Sequence, residues 1–326
     1  MKILPIFIPH LGCPFQCIYC NQKTITKSTL KDLEKIKKQI HQFCNYNIDN
    51  DKQIAFFGGT FTNLPKEKQQ DYFDLVKPFG DDCSIRISTR PDSIDQDILD
   101  FCRENNVKTI ELGIQSFNDE VLTASKRGYN SELAISVCKT IRENGFELAI
   151  QLMPGLPDFS IQSWQETLEV TKSLSPDFVR LYPAIVLKNT DLEKSFLEAK
   201  YSPLSLEEAI QTTAFAFEYF EETDIKIIKT GLHSDIEPEQ IAAGPYHESF
   251  GELVRAEILF NKIIQNFQNK TLKISTKDVS LLKGFNSLYL NRLKSALKIT
   301  VLPIILDAEL EKSRFLFTEK TPQDYW

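Results

Sequence analysis

The sequence predicts an α/β fold, a partial (β/α)6 TIM-like barrel with a small C-terminal α+β add-on. Three observations lead there. Short β-branched or aromatic runs alternate with stretches of helical spacing through the first two-thirds of the chain, the rhythm of βα units and a parallel sheet. The residue types that carry chemistry fall just after those runs, at the strand ends where barrels of this kind place their active sites. A length of 326 residues fits one enzyme-sized unit, assigned to 1–245, and a smaller one over 246–326.

Taken in order, the strands are expected at Leu4–Pro9, Ile54–Phe57, Ser84–Ser88, Thr109–Ile114, Leu148–Leu152 and Phe178–Tyr182. Helices are expected near 30–46, 66–77, 95–104, 131–144, 160–173 and 205–222, several opened by Ser, Asp or Pro start signals. Cys13 follows the first strand, Gly58-Gly59-Thr60 the second, and Thr89-Arg90-Pro91-Asp92 the third. Gln115-Ser116, Met153-Pro154-Gly155 and Pro183 follow the fourth, fifth and sixth. Ile225–Leu232 is a candidate seventh strand. The add-on reads as a helix near 247–267, a strand at Leu272–Ser275, a helix at about 285–297 and a strand at Ile299–Ile305.

Composition is that of an ordinary globular protein, with 42% hydrophobic and 25% charged residues, which excludes disordered and fibrous classes. No stretch approaches the ~20 apolar residues of a membrane span. The apolar start is broken by Pro5 and Pro9 and lacks a cleavage site, so the expected compartment is the cytoplasm, with no membrane partner. Net charge is −7, but Asn261–Thr300 holds eight basic residues and one acid. That basic segment reads either as a lysine-rich solvated face or as a surface for an anionic ligand, RNA in particular. Of the seven cysteines, Cys44, Cys83, Cys102 and Cys138 lie scattered among apolar neighbours and read as core. His233 and His247 lack a partner at metal-ligand spacing and read as ordinary polar histidines.

The other three cysteines, Cys13, Cys17 and Cys20, form a C-x3-C-x2-C triplet in a loop after a strand, where three thiolates can hold three corners of a 4Fe-4S cluster. A structural zinc site with His10 as fourth ligand is the competing metal reading, and it leaves the downstream motifs unexplained. Gly58-Gly59-Thr60 after the next strand lets backbone approach a ligand closely, or else makes a tight turn.

With these motifs in this order, the chain resembles the radical S-adenosylmethionine (radical SAM) superfamily. Within it, the chain is similar to the radical domain of the elongator catalytic subunit and its stand-alone bacterial relatives over roughly 5–260. The stretches that carry the likeness are Phe57-Gly58-Gly59-Thr60-Phe61, Ser88-Thr89-Arg90-Pro91-Asp92, Glu111-Leu112-Gly113-Ile114-Gln115-Ser116, Lys126-Arg127-Gly128, Met153-Pro154-Gly155-Leu156-Pro157 and Leu181-Tyr182-Pro183. A more distant likeness is to oxygen-independent coproporphyrinogen oxidase. The resemblance implies that Cys13, Cys17 and Cys20 hold the cluster, with S-adenosyl-L-methionine completing the open iron. It implies that Gly58, Gly59 and Thr60 take the amino group of S-adenosyl-L-methionine, and that Gln115, Arg127 and Gln151 also contact it. The alternative is that Arg127 caps a loop and Gln151 satisfies buried backbone. Two departures stand out: Ser88 replaces a glutamate common in the relatives, and the elongator acetyltransferase domain has no counterpart in the sequence.

The function implied is cleavage of S-adenosyl-L-methionine to a 5′-deoxyadenosyl radical that modifies RNA, a tRNA base, with a reductant such as flavodoxin or ferredoxin as partner. Tyr182 and Lys188, after the sixth strand, are the candidates for positioning a reacting group or relaying a proton, although Tyr182 also suits a lining role. Asp278–Ser287 with the helix after it weakly resembles a KH-type RNA-binding module whose second glycine is lost, and with the basic segment it favours RNA. The rivals are a radical enzyme acting on a small metabolite or tetrapyrrole, and a non-catalytic cluster or haem carrier.

Overall fold

Six strands alternate with helices through the first half of the chain: β1 (Lys2–Phe7), β2 (Lys52–Phe57), β3 (Cys83–Thr89), β4 (Val107–Gln115), β5 (Glu147–Leu152) and β6 (Phe178–Leu181). A short pair, β7 (Val186–Leu187) and β9 (Ile241–Ala243), is antiparallel, and β8 (Lys226–Thr230) stands between its members in sequence. Seven of these strands make one parallel sheet in the spatial order β1-β2-β3-β4-β5-β6-β8. The computed structural model describes residues 2–8, 13, 16–21, 33–46, 52–232, 236–322 and 324–326, with Phe285, Asp324 and Tyr325 described in backbone only. Helices α1 (Leu33–Tyr46), α2 (Lys66–Val76), α3 (Gln96–Glu104), α4 (Asp119–Ala124), α5 (Ser131–Glu143) and α6 (Ile161–Leu174) lie between consecutive strands as crossovers, and α7 (Asp191–Leu197) follows β7. Parallel strands need such crossovers, because no tight turn returns a chain to the same end of a sheet. Start signals are satisfied locally: Asp95, Asn118, Asn130 and Ser160 each accept a backbone N–H of the helix they open.

Strand residues alternate between two environments. Ile54, Ile85, Ile110, Leu148, Ile150 and Val179 are at most 1% exposed and make the apolar layer. The intervening residues, Gln53, Arg86, Thr109, Glu111, Glu147, Gln151 and Arg180, are polar. This polar face is concave. Adjacent strands lie about 4.8 Å apart, so β2 and β6 would be some ~19 Å apart in a flat sheet. Yet the Arg180 guanidinium stacks on the Phe57 ring at 4.6 Å and Arg86 on Phe178 at 4.7 Å. The sheet is therefore curled into a half-barrel, as the βα rhythm predicts, with Ile225–Leu232 supplying the seventh strand β8.

The chain divides into two compact units, Met1–Ser205 with Glu222–Tyr246, and Leu206–Glu221 with His247–Trp326. The helix α8 (Leu206–Phe220) thus belongs with the C-terminal residues, although in sequence it stands between β6 and β8. In the second unit α9 (Phe250–Asn266) precedes β10 (Thr271–Ser275), α10 (Val279–Lys283), α11 (Leu288–Leu297), β11 (Pro303–Asp307), β12 (Phe315–Thr318) and β13 (Asp324–Tyr325). Its sheet has the order β12-β10-β11-β13, with β10 and β11 parallel. Ile263, Leu272, Ile274, Leu293, Leu302 and Ile304 form its core. Two expectations shift in detail. The last helix begins at Leu288, because Asn286 and Ser287 hold positive φ, and β11 begins at Pro303, later than the expected Ile299. Among the described residues no helix is long and apolar enough to cross a membrane.

Candidate active site

The residues after strands β1 to β5 converge at one end of the half-barrel. The loop after β2 is set by its neighbours: Phe61 is fully buried, stacks on Phe56 at 5.6 Å and meets Phe73 in a tilted pair at 5.2 Å. Its Thr62 hydroxyl bonds Thr89 Oγ1 at 2.6 Å and donates to Ser93 O at 2.7 Å, which fastens this loop to the one after β3. Gly58 sits at φ +141°, and a Cβ there would lie 2.5 Å from Ile8 O, so the close approach of the β1 and β2 ends requires glycine. Thr60 Oγ1 is 3.1 Å from Cys13 Sγ.

Cys17 is buried, while Cys13 and Cys20 are partly exposed. Arg127 Nη1 donates to Cys17 Sγ at 3.0 Å and to Tyr19 Oη at 3.0 Å. Its Nη2 donates to Gly113 O and to Tyr129 Oη. Arg90 Nη1 lies 3.7 Å from Cys17 Sγ, and the same guanidinium is held by Asp92 at 2.7 and 2.8 Å. A turn after α4 delivers Arg127: its N–H donates to Leu122 O, and Lys126 takes φ +54°. Ile18 N–H reaches Ser125 O in the same turn, which ties the cysteine loop to it. Burial opposes charge on Arg127, but Tyr129, Tyr19 and Cys17 outweigh it and hold the guanidinium well above its ordinary pKa. Burial likewise raises the Tyr19 phenol well above its ordinary range, against the pull of Arg127.

Gln115 and Gln151 are brought together, Gln151 Nε2 donating to Gln115 Oε1 at 3.1 Å. Gln115 takes φ +76° at a β-bulge between β4 and β5, a conformation that aims its side chain off the regular pleat. Tyr182 is buried deeper, accepting from Arg180 Nη1 at 3.0 Å, and burial raises its phenol pKa, so it is held protonated. Lys188 is not drawn in. Its side chain is exposed, and it is fixed through backbone, its N–H donating to Gln240 O and its C=O accepting from Asn21. His10 and His233 lie outside the described residues, and His247 Nδ1 accepts from Ser249 N–H.

Several residues of this constellation are not singled out by the sequence. Tyr129 carries no periodic signal; its adjacency to the Lys126-Arg127-Gly128 turn is the only cue. Glu111, Arg86 and Arg180 are visible as charges at alternate positions of otherwise apolar strands. Glu111 Oε2 lies 3.0 Å from Arg180 Nε and 3.4 Å from Arg86 Nη1, all at most 8% exposed. Burial lowers the Arg86 pKa despite Glu111, whereas at Arg180 the effect of burial is overcome by Glu111 and Tyr182.

Three cysteines on one short loop, with Cys17 beside two guanidiniums, suit a thiolate-bound cluster, since the nearby cations offset the negative charge that a thiolate brings into a buried position. Among the described residues no three His, Cys, Asp or Glu side chains gather around a single ion. A cube does not need that, because each thiolate takes its own corner.

In the second unit, four of the eight basic residues of 261–300 are held in ion pairs: Lys262 with Glu221, Lys270 with Glu319, Lys273 with Asp307 and Arg292 with Glu257. The turn likened to a KH clamp runs from Gly284 at φ +65° to Ser287 at φ +60°, so serine occupies a left-handed position at the place of the lost glycine. A surface cleft of ≈ 610 Å³ lies alongside α11, lined by Phe260, Leu288, Asn291, Arg292, Ser295 and Ala296.

Comparison with known proteins gives a match of residues 7–171 to the Radical SAM superfamily and of residues 176–259 to the Radical_SAM C-terminal domain. An uncharacterized protein of Methanocaldococcus jannaschii is 29% identical over 249 residues, covering 74% of this chain and 73% of that protein. A tRNA uridine(34) acetyltransferase of the same organism is 28% identical over 70% of this chain, which spans only 44% of the acetyltransferase's length. Among solved structures, an archaeal Elp3 of Methanocaldococcus infernus superposes with a TM-score of 0.60 at 22% identity, covering 72% of this chain and 58% of that one.

Proposed function

The chain belongs to the radical SAM superfamily and is an enzyme, and from that premise we propose that Cys13, Cys17 and Cys20 hold a 4Fe-4S cluster and that the enzyme modifies RNA, a tRNA base in particular. The observation that carries the site is the Arg127 bridge. One guanidinium joins Cys17 of the cysteine loop to Gly113 of β4, so the cluster loop and the cofactor face are built as one unit. When bound, the pair supplies one-electron cleavage of S-adenosyl-L-methionine and a carbon radical able to take hydrogen from an unreactive C–H bond.

The chain's own residues provide the rest. Gly58, Gly59 and Thr60 present backbone to the amino group of S-adenosyl-L-methionine, and the Gln115–Gln151 pair offers amides to its ribose and adenine edges. In the structure the Arg127 donors go to protein groups, so Arg127 serves the carboxylate of S-adenosyl-L-methionine by exchanging one of these bonds and otherwise secures the cluster loop. Tyr182, held by Arg180, positions a reacting group of the substrate at the barrel wall. The tRNA assignment draws on the similarity to a tRNA uridine(34) acetyltransferase and on the basic residues of 261–300. A small reductant such as flavodoxin or ferredoxin supplies the electron.

The test is anaerobic reconstitution, then dithionite and S-adenosyl-L-methionine, with 5′-deoxyadenosine measured by chromatography. We expect deoxyadenosine from the wild type, none from Cys17→Ala, and faster release when tRNA is added. Deoxyadenosine that tRNA leaves unchanged would move the substrate to a small metabolite, and none from a fully loaded cluster would overturn the radical reading.

A further inference from the structure

The concave face of the half-barrel carries more positive charge than it neutralises. Arg86, Arg180 and Lys229 share it, and Glu111 is the carboxylate that pairs with the first two. Glu147, near the foot of the same face, is engaged by Lys108 at 3.2 Å and by the Thr109 hydroxyl at 2.5 Å. Arg180 and Lys229 are register partners on β6 and β8, immediately after a register shift in that ladder, so two cations stand at one level on neighbouring strands. Such like-charge pairs destabilise a sheet unless something lies between them.

Neither cation is fully used. Arg180 Nη1 donates to Tyr182, while its buried Nε lies 3.0 Å from Glu111 Oε2 as an ion pair and makes no hydrogen bond among the described residues. Lys229 is half-buried and makes no ion pair or hydrogen bond among them. Arg86, which shares Glu111 with Arg180, also has a buried Nη2 that lacks a partner among the described residues. A folded chain ordinarily satisfies buried donors, and unmet ones concentrate where a ligand completes the arrangement.

We infer that Arg180 and Lys229 form an oxyanion-recognition site in the half-barrel, and that the substrate presents a carboxylate or phosphate to it. Planar Arg180 offers a directed N–H, Lys229 adds a mobile ammonium, and Glu111 fixes the guanidinium without neutralising both cations. Tyr182, bonded to the same guanidinium, then lies beside the anchored group. Chemistry on the anchored substrate rests on the radical-enzyme reading, whereas anion binding itself does not.

The experiment is calorimetric titration of the reconstituted holoenzyme, with S-adenosyl-L-methionine bound, by inorganic phosphate and separately by acetate. Three proteins are compared: wild type, Lys229→Gln, and Lys226→Gln, which removes the same charge from an exposed position of the same strand. The expected result is binding of at least one anion, weakened about tenfold or more in Lys229→Gln and unchanged in Lys226→Gln. Phosphate alone identifies a phosphorylated substrate group, acetate alone a carboxylate, and both a site for either. The inference is overturned if neither anion binds the wild type, or if the two variants behave alike. Loss of deoxyadenosine formation would overturn the radical reading instead, and is measured on the same samples.

Discussion

Replacing Glu111 by glutamine isolates what its charge does inside the half-barrel. The carboxylate stands 3.0 Å from Arg180 Nε and 3.4 Å from Arg86 Nη1, and the three side chains are 2%, 8% and 0% exposed. At an effective dielectric of 20, each contact is worth roughly 5 kcal/mol of gross attraction, and the saved cost of burying the carboxylate offsets part of its loss. Glutamine keeps the shape and one acceptor but leaves two buried guanidiniums without a counter-charge. Breaking a buried pair by removing one partner typically costs about 3–5 kcal/mol, and here one residue serves two pairs, so we expect the upper part of that range. At about 2–4 °C per kcal/mol for a unit of this size, the midpoint should fall by roughly 10 °C or more. Urea unfolding monitored by far-ultraviolet circular dichroism measures the change, with wild-type and variant m-values compared to establish that the same unfolding is read. A loss below about 1 kcal/mol would refute the assignment of Glu111 as the counter-ion organising the concave face.

Three further outcomes are expected. Gly58→Ala must relieve a 2.5 Å contact with Ile8 O and a backbone at φ +141°, a strain of about 1–3 kcal/mol localised between β1 and β2. It should lower both stability and the iron content recovered on reconstitution, and unchanged iron content would refute the placement of this loop against the cysteines. Burial pushes the Cys83, Cys102 and Cys138 thiols up to about 12, with Cys44 adding to the shift at Cys83. Their contribution to stability is complete below the unfolded thiol range near ~8.5 and is lost as pH rises towards 12, because the native state holds these protons more tightly. Stability measured at rising alkaline pH should fall accordingly, and stoichiometric alkylation of these three thiols in native protein at about pH 8, below that range, would contradict it. With Lys277, Lys283, Lys294 and Lys298 outside ion pairs among the described residues, RNA binding through 261–300 should show a log–log salt slope of about −3 to −4, and a slope near zero would remove phosphate contact by this segment.

By itself the sequence determined the half-barrel and the strand ends at which its unusual residues gather. β-branched runs alternating with capped helical stretches cannot be satisfied by hairpins, and the predicted strands over 54–57, 84–88, 109–114 and 148–152 all fall within observed strands because one buried layer of Ile and Leu marks each. The cysteine triplet and Gly58-Gly59-Thr60 stood out by residue type and short spacing, and Gln115, Arg127 and Gln151 through the family resemblance; strand ends assemble on one edge of any parallel sheet. Only the tertiary structure decided which of these groups meet. That Arg127 reaches Cys17 across 110 positions, that Tyr19 and Tyr129 close around it, and that Glu111 serves Arg86 and Arg180 together depend on the curl of the sheet. Strand pairing and register set Lys229 opposite Arg180, while Lys188, just after the short β7, is left exposed. Which charges face one another is a property of register and twist, accumulated over seven strands, and no local pattern encodes it.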